Sequence, residues 1–188
     1  MRALTTPSTV VLLALVGVHL EGCAGRDPGA EPCILPVQIE LTSGDRLNPN
    51  DDGEPLPTEI RLLQLRSLVK LQEAEFDAVI ADPTAALGGD LVVTQDFTLY
   101  PATPHRVAIE LDPEARFLVG VALVRRPSGT MWRSVVVLPP VAARCGDFLE
   151  DGAPDPAVIF RVQDYRISAT SNLGGSAGSS VLPNDVTR

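Results

Sequence analysis

Residues 106–125, RVAIELDPEARFLVGVALVR, decide the fold class, because they hold two strand signatures of different kinds separated by a turn. In the first, Val107, Ile109 and Leu111 alternate with Ala108 and Glu110, the period of two that a half-buried strand requires. Asp112-Pro113 ends it, since proline gives no amide donor to a ladder. In the second, Phe117 to Val124 is almost continuously apolar and is expected to be covered on both faces, as a central strand would be. Working outward, further strands are predicted at Val37–Leu41, Glu59–Leu65, Leu91–Leu99 and Trp132–Leu138, with a last hairpin of Val158–Gln163 and Tyr165–Thr170. Between Thr42 and Pro57, Gly44, Pro49, Gly53, Pro55 and Pro57 stand among Asn and Asp residues, so the segment is predicted as one long loop. Ser67 to Ala81 loses the strand period. There Val69, Phe76, Val79 and Ile80 can share one helical face, and Asp82-Pro83 followed by Ala85 to Gly88 reads as a capped short helix with a glycine stop. Several short strands around one small helical insertion predict a mainly β fold, a two-sheet β-sandwich.

The N-terminus follows the order of a secretory signal: Arg2, an apolar run from Val10 to Leu20 broken only by Gly17 and His19, then small residues. That run is too short for a stable membrane span. It ends in Leu20-Glu21-Gly22-Cys23, which resembles the lipobox of bacterial lipoproteins, with Cys23 as the lipid-bearing first residue of the mature chain and Glu21 as a departure. Ordinary cleavage near Gly22 to Gly25 is the alternative. The expected organisation is a signal peptide over 1–22, a flexible spacer over 23–32, a sandwich over 33–171 with its helical insertion at about 67–88, and a disordered Gly- and Ser-rich tail over 172–188. Pro139 to Pro156 reads as irregular and acidic. The mature part, about 165 residues, suits one core. In an exported chain Cys33 and Cys145 are expected to form a disulfide, the alternative being two buried free thiols.

The formal charge of −9 repels phosphate backbones, and the Arg residues are scattered rather than clustered, so nucleic acid is not an expected partner. Cys33, Cys145 and His105 fall short of the four ligands of a structural zinc site, and no metal is expected. Asn48, Asn50, Asp52, Gly53 and Glu59 approach the EF-hand calcium spacing, but strands rather than helices flank them, and the same side chains make Asx-turns without an ion. His105 reads as a strand-end residue, not a general base. The pairs Asp51-Asp52 and Glu150-Asp151 read as solvated charge, lacking the fixed spacing that glycoside chemistry needs. No glycine loop opens a helix to cradle phosphate. The inventory therefore predicts no catalytic residue and no cofactor. Trp132 could anchor a partner or pack at the edge of the core, and packing is the expected role.

Taken in order, the leader with Cys23, LNPNDDGEPLP (47–57) leading into TEIRLLQL (58–65), EFDAVIAD (75–82), FLVGVALVRR (117–126) and MWRSV (131–135) resemble the TssJ lipoproteins of type VI secretion systems. The resemblance spans Ile34 to about Leu138; Leu63 stands where that family commonly has an aromatic. It implies a transthyretin-like β-sandwich with a small helical insertion, anchored in the outer membrane through lipid on Cys23 and facing the periplasm. It also implies a structural role, docking the periplasmic C-terminal region of a large inner-membrane subunit. Ala24 after Cys23 agrees with outer-membrane sorting. Asn48, Asn50, Asp51, Asp52, Gly53 and Glu54 are the expected contact residues, because the Thr42–Pro57 connection is long, its prolines restrict the unbound chain, and its carboxylates suit a basic patch on the partner. The rival expectation is a periplasmic ligand-binding sandwich for a cell-wall fragment or calcium.

Overall fold

Val37, Ile39 and Leu41 face the same core as Val107, Ile109 and Leu111, and this pairing of two alternating segments starts the architecture. The computed structural model describes residues 34–142, 144, 153–173 and 181–182, all within the unit Pro32–Arg188. The signal peptide, the spacer, Cys23, Cys33 and Cys145 lie outside the described residues. The strands are β1 (Leu35–Leu47), β2 (Thr58–Leu65), β3 (Leu91–Leu99), β4 (His105–Leu111), β5 (Phe117–Ala122), β6 (Arg133–Val137), β7 (Val158–Asp164), β8 (Arg166–Ser171) and β9 (Val181–Leu182). They form two sheets, ordered β4-β1-β7-β8 and β3-β2-β5-β6-β9. All neighbours run antiparallel except β1 and β7, which are parallel with Ile39 opposite Val158. The mainly β, two-sheet sandwich with a helical insertion is therefore present.

Register assigns the faces of the five-stranded sheet. Leu62, Gly120 and Ser134 lie in one row, and a Cβ on Gly120 would come within 2.6 Å of the Phe160 ring, so this row faces the other sheet. Arg61, Val121 and Arg133 lie in the next row and face outward. The insertion covers that outer face, which is why β5 is buried along nearly its whole length, as its unbroken apolar run predicts. Gly120→Ala is expected to lower stability by about 1 to 3 kcal/mol by overpacking a site where only a backbone fits. Urea unfolding tests this, and an unchanged midpoint would show that Phe160 yields freely.

The insertion comprises α1 (Val69–Glu73), α2 (Phe76–Ala81) and α3 (Pro83–Leu87), followed by a 3-10 turn at Gly88–Asp90. One helical face over Ser67–Ala81 is not what forms. Ala74 and Glu75 are extended and reset the phase, so Val69 is 57% exposed while Leu71 and Val79 are buried. The α3 boundaries follow the sequence: the Asp82 side chain accepts the Ala85 N–H at 3.0 Å, Pro83 opens the helix and Gly88 ends it at φ 52°. Two strand arginines fasten the insertion to the sheet. Arg61 donates to both Asp96 carboxylate oxygens at 2.7 and 3.1 Å and to the Val79 and Ile80 carbonyls, and its hydrogen bond to Asp96 raises its pKa against a smaller desolvation effect. Arg133 donates to the Leu71 carbonyl, and burial lowers its pKa.

Two segment boundaries also differ from expectation. The segment from Thr42 does not leave the sheet: β1 runs to Leu47, and the connection is only 48–57. Thr42 and Ser43 pair with Arg161 and Val162 of β7, and the register then shifts so that Leu47 meets Asp164. Gly44 sits at this irregularity, where a Cβ would overlap the Gln163 side chain at 1.3 Å. A distant pairing partner thus overrides a locally turn-like composition. The tail is also not without order from residue 172. Leu173 is buried, the Asn172 side chain donates to the Pro156 carbonyl at 2.8 Å, and Val181–Leu182 pairs with Val135 and Val136, adding a short strand beside β6.

Candidate partner-binding surface

Asn48 opens the β1–β2 loop in the left-handed region, at φ 42°, a conformation its short polar side chain tolerates. It is 4% exposed. Its N–H donates to the Asp164 carbonyl at 2.8 Å and its Oδ1 accepts the Arg125 N–H at 2.8 Å, so one residue ties the end of β1 to the β7–β8 turn and to the chain leaving β5. The adjacent Pro49 carbonyl accepts the Tyr165 hydroxyl at 2.9 Å and an Arg125 guanidinium N–H at 3.3 Å. Asn50 Oδ1 accepts the N–H groups of Asp52 and Glu54 at 3.0 and 2.8 Å, an Asx-type arrangement, while its amide donates to the Glu54 carboxylate at 3.0 Å. Gly53 supplies a φ of 85° at the bend, and the Leu56 N–H closes the loop onto the Leu47 carbonyl at 2.9 Å.

A rim of five exposed residues, Asp51 to Pro55, therefore stands on a base that is bonded internally and to two other segments. The charge differs from the acidic patch expected. Asp51 Oδ1 lies 2.7 Å from the Arg126 guanidinium and 3.6 Å from that of Arg125, and Arg126 also sits over the Tyr165 ring at 5.8 Å. Asp51 thus faces two guanidiniums while the Glu54 carboxylate accepts from the Asn50 amide, and the surface is mixed rather than purely acidic.

The six expected contact residues, Asn48, Asn50, Asp51, Asp52, Gly53 and Glu54, all lie in this loop, but Asn48 is corrected from a contact to a buried residue, its oxygen taken by the Arg125 N–H, and only Asp51, Asp52, Gly53 and Glu54 are fully exposed. The structure does not gather the calcium-like set around one point: Asn48 and Asn50 spend their oxygens on backbone N–H groups, and Glu59 lies in β2, 3.6 Å from Arg61. His105 is exposed at the start of β4, its ring 6.3 Å from Phe97. Trp132 packs rather than projects, edge-on to Phe76 at 5.4 Å with the Arg133 guanidinium 4.9 Å from its ring. Arg125, Arg126 and Tyr165 were not singled out in the sequence. The available signal was a pair of arginines closing an apolar strand, which reads equally as a solvated strand end.

A family model described as "Type VI secretion lipoprotein, VasD, EvfM, TssJ, VC_A0113" matches residues 35–164, most of the chain. The chain belongs to this family of type VI secretion lipoproteins. No curated protein sequence matches it significantly. Among solved structures, the fold is shared with the lipoprotein TssJ1 of Pseudomonas aeruginosa at 24% identity and TM-score 0.59, over 76% of this chain and 100% of that one. It is shared with Lip of Serratia marcescens, a membrane-bound component of the type VI secretion system, at 21% identity and TM-score 0.61, over 72% and 96%. A chain in a structure of the TssM C-terminal domain from EAEC also matches, at 20% identity and TM-score 0.56, over 71% and 96%. In this type VI secretion lipoprotein, the β1–β2 loop is exposed from Asp51 to Pro55 and hydrogen-bonded at Asn48, Pro49 and Asn50.

Proposed function

We propose that this chain is a structural, non-enzymatic outer-membrane lipoprotein of a type VI secretion membrane complex, lipid-anchored at Cys23 and facing the periplasm, and that its β1–β2 loop docks the periplasmic C-terminal region of the inner-membrane subunit. Family membership supports the setting, and the fold's occurrence in structures of the TssM C-terminal domain and of a type VI membrane complex supports the kind of partner. The observation that carries the docking role is the loop itself: exposed from Asp51 to Pro55 yet fixed at Asn48, Pro49 and Asn50. A loop already held in one shape loses little conformational freedom on association.

Replacing Asp51–Pro55 by Gly-Ser-Gly, with Asn48 and Pro49 kept, should weaken binding of the partner's periplasmic region about tenfold or more while leaving the melting temperature nearly unchanged. Calorimetry with the purified region measures this, and an unchanged Kd in a folded variant would end the docking role. Because Arg125 and Arg126 offset part of the loop's negative charge, the association rate should fall less steeply with salt than for a purely acidic loop. The anchor is checked separately: mass spectrometry of the mature chain should find lipid on an N-terminal Cys23, and an unmodified Cys23 would remove it.

A further inference from the structure

Two residues that lie beneath the loop rim, far apart in sequence, converge on it. Asn48 is buried, left-handed and bonded to both Asp164 and Arg125; Tyr165, in the β7–β8 turn, donates to the Pro49 carbonyl at 2.9 Å. Neither belongs to the exposed run Asp51 to Pro55: Asn48 is buried, and Tyr165 is half-buried with its hydroxyl committed to the Pro49 carbonyl. We infer that Asn48 and Tyr165 are positioning residues for partner binding, holding the β1–β2 loop in its docking shape; this rests on the docking role proposed above. The chemistry at position 48 is narrow. The site needs a residue that accepts a left-handed backbone and also carries a short acceptor aimed at the Arg125 N–H, which Asn and Asp combine. Glycine meets the first requirement alone, and alanine meets neither. The Tyr165 hydroxyl acts through the Pro49 carbonyl, and its ring also lies under Arg126, which pairs with Asp51 on the rim.

A loop released from its base spends less time in the docking shape, so the apparent affinity falls by the lost fraction. The loss should appear in the association rate, while the dissociation rate of the assembled complex stays near that of the parent, because the contacts are the same once made.

The test uses the full chain purified in detergent and the partner's periplasmic region, with both rates measured by surface plasmon resonance. Asn48→Ala should slow association about tenfold, Asn48→Gly less, and Asn48→Asp should restore it to within about threefold. Tyr165→Phe, which removes one hydroxyl from a ring that stays in place, should slow association severalfold and serves if Asn48→Ala does not fold. Gly120→Ala, which weakens the core away from the loop, is the control and should leave both rates unchanged. Equal association rates for the parent, Asn48→Ala and Tyr165→Phe would overturn the inference, as would a loss confined to dissociation or an Asn48→Asp variant no better than alanine. The docking role fails by a different result, unchanged affinity after replacement of Asp51–Pro55.

Discussion

Phe160→Ala should lower the stability of the domain by about 3 to 5 kcal/mol, a large share of the 5 to 15 kcal/mol typical of a domain. Among the described residues Phe160 is the largest of the fully buried side chains; it lies near the middle of β7 and bridges the two sheets by placing its ring against the backbone of Gly120. The opposite wall cannot refill the space, because Gly120 has no side chain to move inward and its neighbours Leu62 and Ser134 are held in the ladders. The cavity term therefore adds to the lost burial almost in full. Phe160→Leu should recover part of the loss. Combined with Gly120→Ala it should also cost less than the two single changes added, since the smaller side chain leaves room for the new methyl. Denaturant unfolding of the parent, Phe160→Ala, Phe160→Leu, Gly120→Ala and the double variant tests both statements. A loss below about 1 kcal/mol for Phe160→Ala would mean that the sheets close over the gap, contrary to the close packing described.

The parts legible in the sequence are those whose cause is local. Val107, Ile109 and Leu111 declare their face by alternation, the β5 run declares cover on both sides, and Asp82-Pro83 with Gly88 writes its own helix boundaries. What escaped has its cause elsewhere in the chain. Gly44, Asp45 and Arg46 look like turn residues and are drawn into β1 by β7, more than a hundred residues later. The parallel placement of β1 beside β7 leaves no mark in either segment. Arg61 and Arg133 read as outward polar positions of strands, yet one holds the last carbonyls of α2 and the other a carbonyl of α1. The candidate surface divides in the same way. Asn50 and Gly53 announce a turn from their own chemistry, whereas Arg125, Arg126 and Tyr165 join it only through folding, and they change its charge from acidic to mixed.

Gln64→Leu should lower stability by about 2 to 4 kcal/mol although it adds apolar volume to a buried site, because it strands two backbone groups at once. Gln64 is 1% exposed and shares its face of β2 with Leu62 and Ile60, where the alternation calls for another apolar residue. Its amide donates to the Glu110 carbonyl at 2.8 Å and its carbonyl accepts the Asp112 N–H at 2.8 Å, so one side chain ties the end of β4 to the opposite sheet. Glu110 is opposite Pro36 in the β1–β4 ladder, a residue with no N–H to offer, and Asp112 begins the turn where the ladder stops. Leucine supplies neither a donor nor an acceptor. Gln64→Glu separates this account from a simple preference for shape. A protonated glutamic acid can donate to Glu110 and accept from Asp112, whereas the carboxylate cannot donate and resists burial. Its pKa in the folded chain is therefore raised above the ordinary value of about 4.3. The folded state then holds the proton more tightly than the unfolded one. The variant's stability relative to the parent should be fully present below pH of about 4.3 and should be lost as pH rises through the folded pKa. Urea unfolding of parent, Gln64→Leu and Gln64→Glu across acid to neutral pH measures this. A Gln64→Leu chain as stable as the parent, or a Gln64→Glu difference that does not change with pH, would show that the two hydrogen bonds do not hold the sheets together.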